Sequence, residues 1–218
     1  WSEGGLYSYL SAATVLKVSS SNTADAAAGT GARTVELFGL DADYNEINET
    51  VTLNGQTAVN TTKEYLRINR MIIRSAGTGG QNAGVIYAGT GTVTNGVPAN
   101  KYATINGVEG SNQSLMSLWT MPSGYTGFLV QYDVSNGTST NTPAVCKLIL
   151  SIRPFGEVFQ SKDVKSLTNG MHVEETFSVP TIITEKSDIE VRALSSSASV
   201  SFDVSAAFEI IYIKNKTT

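Results

Sequence analysis

From Ser199 to Ile213 the chain reads Ser-Val-Ser-Phe-Asp-Val-Ser-Ala-Ala-Phe-Glu-Ile-Ile-Tyr-Ile, with large apolar residues at every second position. Successive side chains of a β-strand point to opposite faces, so a period of two requires a sheet with one dry and one wet face. Val200, Phe202 and Val204 are expected in the core. Ser199, Ser201 and Ser205 are expected to face water or lie flat against a neighbour. After Ala206-Ala207 the pattern reads as a change of phase, to Phe208, Ile210 and Tyr212, which predicts a bulge or a bend between sheets.

The same period recurs upstream. Strands are expected over Thr14–Val18, Arg33–Gly39, Glu46–Asn54, Glu64–Arg74, Ala83–Ala88, Lys101–Ile105 and Ser114–Met121. They continue over Phe128–Val134, Val145–Ile152, Glu157–Val164, His172–Val179, Asp188–Leu194 and Val200–Ile213. Turn chemistry separates them: Asp41-Ala42-Asp43-Tyr44-Asn45 closes a hairpin, and Asn54-Gly55 and Pro122-Ser123-Gly124 are tight turns. Asn136–Pro143 reads as a polar loop. Charged residues make up 16% of the 218 residues, against about 25% in an average soluble domain. Ser, Thr, Asn and Gly fill the difference, and they suit turns and pleated surfaces. No segment has the spacing of a helix, and no fixed repeat points to a propeller or solenoid. The expected architecture is all-β, an antiparallel β-sandwich of jelly-roll type. Residues 1–32 are expected to form an extended N-terminal arm and flexible loop, followed by a single domain over 33–218.

Composition also excludes partners and chemistries. A net charge of −4 with 15 thinly spread Lys and Arg argues against nucleic acid, whose phosphates need clustered cations. The closest grouping, Arg67, Arg70 and Arg74, divides between two strand faces. No run reaches the roughly 18 apolar residues of a membrane span. Cys146 is the single cysteine, set among apolar neighbours, and is expected to be a buried inert thiol. His172 is the single histidine. With Glu174 and Glu175 on opposite strand faces it makes a poor zinc site, and a Ser-His-Asp triad would have to use it while no Gly-x-Ser-x-Gly elbow occurs. No cofactor, metal or catalytic group is assigned, and the chain is not expected to be an enzyme. Asp41, Asp43, Glu46 and Glu49 are the carboxylates a glycosidase would use, yet turn geometry explains the first two and the last two fall on opposite strand faces. Calcium could use Asp41 and Asp43, but the pair lacks further oxygen ligands. Trp119, Tyr125, Tyr132 and Tyr102 are the rings a sugar would stack on, with Trp119 and Tyr132 better read as core.

The N-terminal segment carries Trp1, Leu6, Tyr7, Tyr9 and Leu10. So many large apolar groups do not hang free in water, so the segment is expected to dock, on its own domain or as a subunit-contact arm on a neighbour.

Several segments resemble a family of virion structural proteins of tailed bacteriophages, especially those of marine bacteria. They are Gly29-Thr30-Gly31-Ala32-Arg33-Thr34-Val35, Gly39–Glu46, Glu49–Gly55, Tyr65–Arg70, Gln113–Met116 with Pro122–Thr126, and Val191–Ser196. The resemblance implies a non-enzymatic particle component, located in the virion and assembled in the bacterial host cytoplasm. Its partners would be other virion proteins, the major capsid protein first among them, and further copies of itself. A capsid decoration or cement role is the leading expectation. The alternatives are a tail, collar or receptor-binding component, with a host surface glycan as ligand, and third a carbohydrate-binding module or glycosidase.

Overall fold

The structure is a computed structural model that describes residues 1, 3–107, 112–137 and 144–216. The described residues hold no helix. They form β1 (Thr14–Ser20), β2 (Ala32–Leu40), β3 (Glu46–Thr52), β4 (Val59–Tyr65), β5 (Arg67–Ala76), β6 (Ile86–Thr94) and β7 (Val97–Ile105). The chain continues with β8 (Leu118–Thr120), β9 (Tyr125–Gly137), β10 (Cys146–Arg153), β11 (Gln160–Leu167), β12 (His172–Ile183), β13 (Asp188–Ser195) and β14 (Asp203–Lys214). The loop expected over Asn136–Pro143 falls largely outside the described residues.

Two compact units divide the chain, Ser2–Met116 and Ser117–Thr218, the latter grouped with Trp1. This corrects the expectation of one domain over 33–218. It also corrects the reading of 1–32 as arm and flexible loop, because β1 lies in that stretch and Leu16, Val18 and Ala32 are fully buried. Composition could not reveal the division, since no charged or proline-rich linker separates the units.

In the N-terminal unit a four-stranded sheet, β4-β1-β6-β7, and a three-stranded sheet, β3-β2-β5, enclose one core. Leu16, Val18, Ile86 and Ile105 come from the first sheet, and Val35, Leu37, Ile68 and Met71 from the second. In the C-terminal unit the sheets are β11-β10-β13-β8 and β12-β9-β14, again four strands and three. Leu148, Leu150, Ile152 and Ile189 meet Leu129, Tyr132, Val134 and Ile183 in its core. Every strand pairing is antiparallel. Each unit is therefore a β-sandwich-like pair of sheets around its own core.

The loop between β1 and β2 is held by a carboxylate. Asp25 is fully buried. It accepts hydrogen bonds from Ser20 Oγ at 2.6 Å and from the backbone N–H groups of Ala32, Ala83 and Gly84 at 2.7, 2.8 and 2.9 Å. Charge-assisted bonds of this kind are the strong ones, so one side chain ties β1, β2 and the segment before β6 together.

Glu64–Arg74, expected as one strand, is two, β4 and β5 with Leu66 between them. The turn fits closely against β2, because a Cβ on Gly39 would lie 2.1 Å from the Arg67 carbonyl oxygen. β4, Val-Asn-Thr-Thr-Lys-Glu-Tyr, is too polar to show an alternation.

β14 corrects the expected change of phase. Ala206, Phe208 and Ile210 pack on the core, as does Phe202, and Val200 is buried. All occupy even positions, so the phase does not change at Ala206-Ala207, although Val204 on the same period is exposed. The irregularity lies in the neighbour: Glu209 pairs with Gln131 and Ile210 with Leu129, which leaves Val130 of β9 as the extra residue. Val204, expected in the core, is exposed, and Ser199, Ser201 and Ser205 face outward into water.

Candidate functional site

The carboxylates singled out in the sequence are engaged in turns and strand pairing. Asp41 Oδ1 accepts from the N–H groups of Asp43 and Asn45, each at 2.9 Å, and Oδ2 accepts from Asn45 Nδ2 at 3.2 Å. This is an Asx-type turn, closed by Tyr44 in the left-handed region at φ 66°. Burial pushes the Asp41 carboxyl up, but the bonds from Asn45 and Asp43 outweigh it and hold the group below its usual range. Glu49 Oε2 accepts from Thr62 N–H at 2.9 Å and Thr62 Oγ1 at 2.7 Å, which links β3 to β4. Asp41 and Asp43 line a shallow depression of about 330 Å³ with Lys63 and Glu64. Among the described residues no group of three or more His, Cys, Asp or Glu side chains gathers to hold a metal ion.

Cys146 is buried in the C-terminal core, where burial pushes its thiol up and away from the reactive thiolate. His172 Nε2 lies 2.6 Å from Asp133 Oδ2 on an exposed surface, and that hydrogen bond, with the charge of Asp133, raises the imidazole. Tyr132 is core, fully buried with its ring beyond the reach of a sugar. Trp119 is half-buried against the core, its ring 6.3 Å from that of Tyr212, and Tyr125 meets Tyr212 edge to face at 5.4 Å. Tyr102 packs on the N-terminal core.

The N-terminal segment docks on its own unit. Tyr7 Oη donates to the Tyr102 carbonyl at 2.9 Å, and the Tyr7 and Tyr9 rings meet edge to face at 4.8 Å. Arg67 donates to the Leu10 carbonyl at 3.0 Å and lies 4.9 Å over the Tyr9 ring, while Leu10 packs on the core. Tyr7, Tyr9 and Leu10 thus lie against the chain's own unit. Leu6 stays 68% exposed. The three arginines divide as the strand period requires: Arg67 is buried, Arg70 bonds Gln113, and Arg74 pairs with Glu36 at 2.5 Å. Glu36 is held below its usual range by the Asn48 hydrogen bond and then by Arg74.

Two features of the C-terminal unit went unread in the sequence. Arg153 and Arg192 both lie over Phe159, each guanidinium 4.6 Å from the ring centroid. Arg153 Nε donates to buried Asp188 at 2.9 Å, Thr120 Oγ1 donates to its other oxygen at 2.5 Å, and Arg192 pairs with buried Glu190. Each cation already has its anion, so this stack is a closed, rigid network.

The second feature is open. On the outward face of β12-β9-β14, Ile182 pairs with Phe128, and Phe128 pairs with Ile211. Ile182 is 62% exposed, Ile211 59% and Ile213 55%. Farther along the same face lie Asp133, Glu174 and Glu209. Eleven of the fourteen exposed large apolar residues among the described residues fall in Ser117–Thr218 and three in Ser2–Met116. A signal was present: Ile210-Ile211-Tyr212-Ile213 and Ile182-Ile183 put apolar side chains on both faces of their strands, the pattern of a sheet covered on both sides. The wet face expected from the period is therefore only half wet.

Comparison with protein-family models, with curated proteins and with solved structures returned no match.

Proposed function

We propose that the chain is a non-enzymatic structural component of a tailed-bacteriophage virion, a capsid-associated decoration or cement protein built of two jelly-roll sandwiches. The observation that carries the reading is the concentration of exposed apolar side chains on the C-terminal unit. Contiguous apolar surface on a rigid body marks a site of protein association. A cement protein acts by burying such surface across subunit junctions, which favours the assembled shell over free subunits by linkage. The family resemblance supplies the particle, and the acidic, cysteine-poor composition is compatible with a repeated shell component.

Strand order supports the jelly-roll part of this reading. An eight-stranded roll, lettered B to I along the chain, has sheets B-I-D-G and C-H-E-F. The orders β8-β13-β10-β11 and β14-β9-β12 correspond to C-H-E-F and I-D-G, a roll without its first strand. In the N-terminal unit β6-β1-β4 and β5-β2-β3 correspond to I-D-G and H-E-F. There β7 lies beside β6, in the place of B, and the bridge between Ile72 and Gln113 sets the following chain beside β5, in the place of C. The N-terminal unit thus reads as a roll whose chain begins at strand D.

Quantifying the protein in purified particles and locating it by imaging tests the role. On the order of hundreds of copies on the shell, in register with its symmetry, supports it. About a dozen copies or fewer would move the protein to the tail or collar, and absence from particles would end the virion reading.

A further inference from the structure

We propose that the outward face of the sheet β12-β9-β14 is the docking surface, and that its partner is a protein surface with an apolar centre flanked by Lys and Arg. This rests on the structural role proposed above and adds to it a face and a partner chemistry. The apolar half of the face is the cross-strand row Ile182, Phe128 and Ile211, extended by Ile213. The other half is acidic. Asp133 and Glu174 are direct cross-strand neighbours, and Glu209 pairs with Gln131, which in turn donates to Glu174 at 2.9 Å. Among the outward positions of the three strands no Lys or Arg occurs, and the only group able to become cationic is His172, held at 2.6 Å by Asp133.

Charge decides which occupant fits. Complementary potentials steer association, and like charges set against each other disfavour it. Two copies joined through this face would bring carboxylates together around the apolar row, and a partner rimmed with Lys and Arg would neutralise them. Strand addition at the β14 edge is also opposed, because Ser117 Oγ already donates to the Ala206 carbonyl at 2.5 Å in mid-strand. β12 and β14 are 12 residues each. Three strands of that length span about 40 Å by 14 Å, the order of the ~800 Å² that each side of a standard interface buries.

The full chain would be titrated with two defined probes. One is a 14-residue amphipathic helical peptide with a leucine face flanked by lysines, and the other has glutamates in place of the lysines. The expected result is binding of the lysine probe only. Ile182→Ser with Ile211→Ser should weaken it about tenfold. Glu174→Lys with Glu209→Lys should weaken it about tenfold at low salt and less at high salt. All four positions lie on the exposed face, so circular dichroism should show unchanged folding. Equal binding of the two probes, or indifference to both double variants, overturns the proposal. So does a dimer in sedimentation that Ile182→Ser with Ile211→Ser breaks apart, because a second copy would then cover the face. In a second arm, incorporation into particles should fail for both double variants and proceed for Asp43→Lys, a charge reversal in the N-terminal unit. A wild-type protein missing from particles refutes the virion role, while the peptide titration still decides the face.

Discussion

The two units share an inventory of seven strands arranged four against three, yet they differ in what they show to water. At the edge of its three-stranded sheet the N-terminal unit places β3, whose exposed positions are Glu46, Asn48, Thr50 and Thr52. At one edge of its own three-stranded sheet the C-terminal unit places β14, with Ile211 and Ile213 exposed. Strand number and sheet pairing therefore do not decide what a unit exposes. The composition of the outward faces decides it, and topology supplies a frame for either choice.

The largest expected effects probe how each unit secures its frame. Asp25→Ala removes the common acceptor of four donors in the N-terminal unit. Leaving buried N–H groups unsatisfied costs about 1–3 kcal/mol each, so a loss of roughly 4 kcal/mol in denaturant unfolding is expected. Hydrogen exchange should quicken at Ala32, Ala83 and Gly84. The counterpart in the C-terminal unit is Arg153→Ala, which strands the buried Asp188 carboxylate. Breaking a buried pair from one side costs about 3–5 kcal/mol. Arg153 is partly exposed and Thr120 still donates to Asp188, so the lower end is expected. Equal losses would abolish the ranking of the two anchors, and a larger loss at Arg153 would reverse it.

Smaller effects separate tight backbone packing from adaptable side-chain packing. Gly39→Ala in β2 would press a methyl against the Arg67 backbone carbonyl at 2.1 Å and the buried Tyr65 ring at 2.8 Å. Gly127→Ala in β9 would meet the Met121 methyl at 2.2 Å, the far end of a flexible side chain. Overpacking costs about 1–3 kcal/mol, and thermal melting should place Gly39→Ala at or above that range and Gly127→Ala near its bottom.

Much of the architecture was legible because it follows from a period of two. The β9 and β14 segments alternate strongly enough to be read as strands, but the period alone misplaces part of each inner face: the extra residue Val130 turns Phe128 outward while Tyr132 and Val134 stay buried, and Val204 is exposed. The hairpin at Asp41–Asn45 announced itself through residues that cap their own turn. Other features left no local trace. β4 is polar along its length because its side chains bond across strands, as Thr62 does to Glu49. Asp25 gathers partners 58 and 59 residues away, which no window of sequence displays. The division between units falls within Leu115–Leu118, a short connection with no linker composition. The proposed docking face was half legible: Ile211 and Ile213 were visible as extra apolar residues, but only the register shows that they join Phe128 and Ile182 in one row.

The smallest effect concerns His172 on the acidic half of that face. Its hydrogen bond to Asp133 raises the imidazole in the folded chain. The stabilisation is therefore fully present below the unfolded value of about 6.5 and is lost as pH rises through the folded value. An NMR titration should find His172 titrating above its value in Asp133→Asn. An unchanged midpoint would remove the pair from the account.

The central claim is that the C-terminal unit makes the contacts and the N-terminal unit does not. Hydroxyl-radical footprinting of the protein, free and in the proposed virion particle, tests it directly. The account predicts that Phe128, Ile182, Ile211 and Ile213 become protected on assembly while Leu6, Val15 and Leu115 keep their reactivity. Protection confined to the N-terminal unit, with the Ile182–Phe128–Ile211 row unchanged, would contradict it.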